Sequence, residues 1–392
     1  MTDTTDSADV EDVFEELDEK AAHPLELFFD LVFVFAFTQV VSLVVHDLQL
    51  SGVLHGALVL GLLWWGWGTW TWATNVVDLE PRLVRVAMLA SMLGVFVMGF
   101  AVPTAFEGDG MWVAAGYVWV RLISAIVMFT GTRDDPVEQE ALRTYMPFSF
   151  VAPVIMVIGA AVGGESLQWW WLTGLLVELA AAVFAGRADW HIDAAHFAER
   201  HGLIMIIALG EAIIAVGVAL TDAELVLDTA LATQLGVGLA GACALWWAYF
   251  DRLQGVWEHA LRTADEHQTG HLARDVYSML HYPMIVGIVF YAIALEEAFL
   301  HPDDPLDSVV AALLVSAFAL YLIAMAVATW RCWRTYLYER VIGVAAIAAL
   351  VWLWDGSAKN VVFVSTMVII VSLSFEYWRF RDRIRGTISE TA

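Results

Sequence analysis

Three ionisable residues, Arg121, Glu178 and Glu211, stand in the middle of long apolar runs. Each lies about ten residues from one end of its run. At about 1.5 Å per residue that is about 15 Å, close to the midplane of a ~30 Å hydrocarbon core. A charge at that depth costs several kcal/mol unless it is paired or reaches water. Arg121 is therefore expected to contact Glu178, Glu211 or both. One cation against two carboxylates leaves one carboxylate over, to hold a proton, bind a cation or lie on a transport route. The plainer alternative is an ion pair that fixes helix packing, with the spare glutamate protonated.

A second group stands nearer the ends of two runs. Glu26 and Asp30 are one turn apart and share a helix face. His196, Glu199, Arg200 and His201 form a polar cluster at the start of a later run, and Arg200 could neutralise Glu26 or Asp30 if the two runs meet. Glu26 could instead cap its own helix. Gln39 is a further polar candidate, about 180° around an ideal helix from Asp30. Gly202 and Gly210 would let a neighbouring backbone approach the helix that carries Glu211. Asn75 falls in a loop, as a cap or loop clamp, and Glu376 is close enough to Arg379 to pair with it. Pro153 and Pro283 mark kinks or helix starts. No His or Cys pattern has metal-ligand spacing, and no cofactor motif is present.

The elements that must place these residues are membrane helices. Runs long enough to cross a bilayer cover 25–45, 52–73, 83–104, 112–131, 145–163, 168–186, 201–220, 229–250, 280–300, 306–328, 336–354 and 360–378, about twelve by the usual ~20-residue requirement. Threaded back and forth, they put every Lys and Arg on one side except Lys359 and the intramembrane Arg121. Basic loops stay cytoplasmic, so both termini are expected inside and the protein in the inner membrane, multi-pass. The fold class is an all-α polytopic membrane protein.

The chain is 60% hydrophobic and 16% charged, which excludes an ordinary soluble domain. Trp169, Trp170, Trp171, Trp352 and Trp354 suit the headgroup layer. Trp64, Trp65, Trp67, Trp70 and Trp72 run through a span, so their rings should pack between helices and their N–H groups need partners. Cys243 and Cys332 give no disulfide framework. A net charge of −25 suits a salty cytosol and gives no support to nucleic-acid or phosphate binding. Residues 1–22 read as an acidic disordered cytoplasmic tail, and 381–392 as a basic cytoplasmic C-terminal tail.

The runs also look duplicated. His23-x-x-Glu26 corresponds to His196-x-x-Glu199, Trp64-Trp65 to Trp246-Trp247, and Met88-Leu89 to Met279-Leu280, in the same order. Two six-helix repeats, 23–190 and 191–380, would be parallel, since an even number of crossings separates equivalent helices.

The segment Glu26-Leu-Phe-Phe-Asp30-Leu-Val-Phe-Val resembles the signature of the low-temperature-requirement A (LtrA) membrane proteins. So do His196-Phe-Ala-Glu199-Arg200-His201-Gly202-Leu, Ala208-Leu-Gly210-Glu211, Trp246-Trp247-x-Tyr249-Phe250-Asp251 and His281-Tyr-Pro283 with Gly287. The resemblance implies a multi-pass inner-membrane protein and no settled biochemical activity. A common form of the second motif ends Gly-Glu-Ser, where this chain has Ala212. A looser likeness is to a double six-span potassium-channel family of lysosomes, whose Phe-Ser-Asp motif corresponds to Phe28-Phe29-Asp30 with Phe29 in place of the serine.

Three function classes follow. Midplane charges and duplicated halves favour a transporter or channel for a small ion or solute. A structural or sensory membrane protein would use the buried charges for packing alone. An enzyme acting on lipid would need a nucleophile–base set that the spacing does not supply. The expected partners are the bilayer, the small ion or solute, and a second copy in a homo-oligomer.

Overall fold

The computed structural model describes residues 22–185, 192–224 and 226–390. The expected acidic tail, apart from Ala22, and Arg187 lie outside the described residues. The order is α1 (Pro24–His46), α2 (Leu50–Val76), α3 (Arg82–Ala101), α4 (Gly110–Gly131), α5 (Pro136–Ser149), α6 (Val151–Val162) and α7 (Leu167–Ala185). After it come α8 (Ala194–Asp222), α9 (Thr229–Phe250), α10 (Leu253–Arg262), α11 (Glu266–Leu272), α12 (His281–Leu300), α13 (Ser308–Trp333), α14 (Tyr338–Leu353) and α15 (Ala358–Glu390). Short π-helical turns, Ala105–Asp109 and Ala273–Met279, lead into α4 and α12.

Local chemistry sets the helix starts. His23 and Glu26 form a reciprocal capping box around Pro24 at the head of α1. Asp193, Asp228 and Asp307 accept the first free N–H groups of α8, α9 and α13. Pro153 and Pro283 each occupy the third position of a helix, where a missing N–H costs nothing.

Among the described residues nine helices are long and apolar enough to cross a membrane. Three expected spans differ. The run 145–163 is divided at Phe150 between α5 and α6, and twelve residues of α6 reach only about 18 Å. The α14 helix has 16 residues, while α7, with 19, corresponds to the expected run 168–186 without being among the nine.

The packing order positions the charged groups. Helix α1 lies against α2 and α3, α3 against α4, α4 against α6, and α7 against both α6 and α2. Later in the chain α8 lies against α12, α12 against α13, α13 against α14, and α15 against both α14 and α9. The two sets meet where α1 touches α8 and α12.

Candidate functional site

Glu26 and Asp30, four residues apart on α1, both face Arg200 of α8. The guanidinium lies 2.5 Å from Glu26 and 2.7 Å from Asp30, and all three side chains are fully buried. Glu26 also accepts from the His23 backbone N–H at 2.8 Å and contacts His196 Nε2 at 3.1 Å. Capping and ion pairing, read from the sequence as alternatives for Glu26, thus occur together. Trp67 of α2 donates its indole N–H to Asp30 Oδ1 at 2.8 Å, and Asp30 Oδ2 is buried without a hydrogen-bond partner. Glu199, half-buried, accepts from the Ala22 N–H at 2.8 Å.

Asn75 is the residue sequence reasoning undervalued. It lies inside the last turn of α2 rather than in a loop, and its amide clamps the backbone of Asp193 at the head of α8. Its Nδ2 also contacts His196 Nδ1 at 3.2 Å. The clue was its place after the tryptophan run, on the same end of α2 as Trp72. Its partner is 118 residues away, so no local pattern could name it.

His201 stands apart from this ion cluster. Its ring meets the edges of Trp64, Trp67, Tyr277 and His281 with centroids 5.0–6.0 Å apart, and its Nδ1 reaches the Phe197 carbonyl at 2.8 Å. Among the described residues no group of three or more His, Cys, Asp and Glu side chains is placed to hold a metal ion. The tryptophan run packs inward: Trp64 and Trp72 donate to Ser278, while Trp70 Nε1 is buried without a partner.

Midway along α8, Glu211 is 2% exposed. Thr38 of α1 donates to its Oε1 at 2.6 Å, and Oε2 is buried with no hydrogen-bond partner among the described residues. The Thr38 hydroxyl also lies 3.1 Å from the Val34 carbonyl, so its single proton has two acceptors. Gln39 is half-buried, and no bond joins it to either cluster among the described residues. The glycine expectation fails here. A Cβ on Gly210 would have nothing within 4 Å, and at Gly202 the neighbour is the Gln254 side chain rather than backbone.

Arg200 and Glu211 are eleven residues apart on α8, about 16 Å of rise. The positions 200, 204, 207 and 211 share one face, as do 26, 30, 33 and 37 on α1. Between the two polar levels these faces are apolar, with Phe33 and Phe37 on α1 and Ile204 and Ile207 on α8.

Arg121 of α4 and Glu178 of α7 pair with each other, at 3.1 Å. Tyr117 donates to the other Glu178 oxygen at 2.7 Å, and Arg121 also donates to Thr69. Of the two carboxylates weighed for Arg121, Glu178 is the partner and Glu211 is left with Thr38. Glu376 pairs with Arg340 at 2.7 Å, not with Arg379, which pairs with Glu339. The distance along α15 allowed Glu376–Arg379, but α14 brings Arg340 into the same space and holds it with the Ala248 carbonyl.

A bundle of long apolar helices that buries paired and shared charges between them defines a polytopic membrane protein. The chain belongs to the bacterial low temperature requirement A protein (LtrA) family, whose sequence model matches residues 21–375. It is similar to an uncharacterized protein of Rhizobium meliloti (strain 1021), 28% identical over 293 residues that cover 72% of this chain and 70% of that protein. No solved structure matches the chain.

Proposed function

We propose that this protein is a transporter or channel for a small ion or solute, with the α1–α8 seam as its route. The observation that carries the reading is Glu211, a carboxylate at mid-depth with one oxygen on Thr38 and the other buried and unpartnered. An acceptor left open in a nonpolar interior is costly unless it takes up a proton or a cation. Carboxylates favour a cation as the transported species. Glu26, Asp30, Arg200 and His196 form a second polar level on the same two helices, and the Phe33–Ile207 layer between them closes the resting seam. Arg121 and Glu178, closed on each other and on Tyr117, serve packing in this reading.

The same proposal takes the chain as twelve spans in two parallel six-helix halves, with both termini in the cytoplasm and the protein in the inner membrane. Support comes from the packing order. The contacts of α1 with α3, α3 with α4, α4 with α6, α6 with α7 and α7 with α2 recur as α8 with α12, α12 with α13, α13 with α14, α14 with α15 and α15 with α9. The one-sided basic loops supply the orientation.

Purified protein in liposomes is the test. A panel of monovalent cations and small zwitterions should yield flux of at least one member above that of protein-free vesicles. Absence of flux across the panel, at several pH values and with an imposed potential of either sign, removes the transport reading. Cysteine labelling of the 221–228 loop from outside intact cells tests the orientation.

A further inference from the structure

The charge of the buried α1–α8 cluster turns on His196, and Asn75 decides it. The Oδ1 of Asn75 accepts from the Asp193 N–H at 2.9 Å, and Nδ2 donates to the Asp193 carbonyl at 3.1 Å. Those two backbone groups accept only one orientation of the amide. The second N–H of Asn75 therefore points at His196 Nδ1, 3.2 Å away. A ring nitrogen that accepts carries no proton, so His196 is the neutral tautomer with its hydrogen on Nε2, donated to Glu26.

One guanidinium then faces two carboxylates. Glu26 is saturated by the His23 N–H, His196 and Arg200. Asp30 Oδ1 accepts from Trp67 and Arg200, while Asp30 Oδ2 is fully buried with no hydrogen-bond partner among the described residues. Among the described residues no neighbouring element supplies the missing positive charge. Helix α2 brings Trp67 and Asn75 here, its one histidine, His55, being hydrogen-bonded to Gln168. Helix α3 brings Arg82, which is exposed, and Arg85, held by Glu80. Helix α8 adds Glu199, bound to the Ala22 N–H, and His201, whose ring is boxed by aromatic rings. Helix α12 adds His281, which contacts His201, Tyr249 and the Val276 carbonyl.

An uncompensated charge in such a site is strongly disfavoured. A metal cation takes several oxygen ligands, and Oδ2 offers one. A proton needs only one. We propose that Asp30 Oδ2 carries a proton in the folded protein and that its exchange couples proton movement to transport along the α1–α8 seam, a coupling that rests on the reading above. The step is plain acid dissociation: the Oδ2–H bond breaks, the proton leaves to water where the seam opens, and Arg200 stays between two ionised carboxylates until the proton returns.

Infrared spectroscopy of the whole protein in nanodiscs reads the proton directly. The expected result is a protonated-carboxyl C=O band that shifts when all aspartates carry ¹³C, since Asp30 is the only fully buried Asp among the described residues. The band disappears in Asp30→Asn, which mimics the neutral side chain and keeps a melting temperature close to the parent. A band that does not respond to labelled aspartate, or no band at all, overturns the assignment without any substitution. Flux tests the coupling separately. An imposed pH gradient drives flux in the parent and fails to drive it in Asp30→Asn, whereas equal driving in both overturns the coupling. If neither protein shows flux under any gradient, the transport reading and with it the coupling fall, while the labelled-aspartate band still decides the protonation.

Discussion

Arg121 meets one carboxylate, and Arg200 meets two. Both guanidiniums are buried at the contact of helices distant in sequence, and both carboxylate sites receive a further donor, Tyr117 at Glu178 and Trp67 at Asp30. The Arg121 pair balances in charge and accounts for both oxygens of its glutamate. The Arg200 cluster leaves an oxygen of Asp30 over, and farther along the same seam an oxygen of Glu211 is left over too. Balanced burial holds helices together. Unbalanced burial has to be completed by something that arrives and leaves, which is why the proposed function rests on the seam and not on the Arg121 pair.

Removing each cation tests this contrast with the largest expected effect. Arg200→Met strands the ionised Glu26 and takes a donor from the protonated Asp30, whereas Arg121→Met strands Glu178 alone. Breaking a buried pair from one side costs about 3–5 kcal/mol, so Arg121→Met should fall in that range and Arg200→Met should exceed it. Thermal unfolding in detergent reads both. Equal losses would show that Arg200 contributes nothing through Asp30 beyond its pairing with Glu26. The double variant Arg121→Met/Glu178→Leu sharpens the point. Replacing a packing pair with apolar side chains should restore most of the stability, and an uncorrected loss would assign the pair a role beyond packing.

A smaller effect is expected at Asn75. Asn75→Ala deletes the amide clamp on Asp193 and His196, at about 1–3 kcal/mol for the polar groups left unsatisfied. It also frees His196 Nδ1 to bind a proton. The histidine should then show a protonated form by ¹⁵N NMR that the parent lacks at the same pH. A neutral His196 in both proteins would remove Asn75 as the determinant of its tautomer.

The long apolar helices, the burial of Arg121, Glu178 and Glu211, and the inward tryptophans were legible because each is written in a local apolar pattern. The surplus carboxylate was legible as arithmetic, one cation against two acids. Its identity was not. Both glutamates stand at a similar place in their apolar runs, and only the packing of α4 and α7 on their shared neighbours α2 and α6 decides that Glu178 takes Arg121. Asn75 and Arg340 were missed for the same reason, since each contacts a residue on a helix remote in sequence. The break at Phe150 was hidden by an apolar run that continues through it. The glycines misled: Gly210 sits beside Glu211 in the sequence motif, yet faces open space.

The most direct measurement is liposome flux and melting temperature on one preparation of Glu211→Gln. The glutamine keeps the size of the side chain and its contact with Thr38 while removing the carboxylate that can exchange a proton or cation. The account predicts a fall in flux of roughly tenfold or more, the equivalent of losing about 1.4 kcal/mol or more of binding, with a melting temperature close to the parent. Parental flux at every pH tested, with or without a change in stability, would contradict it.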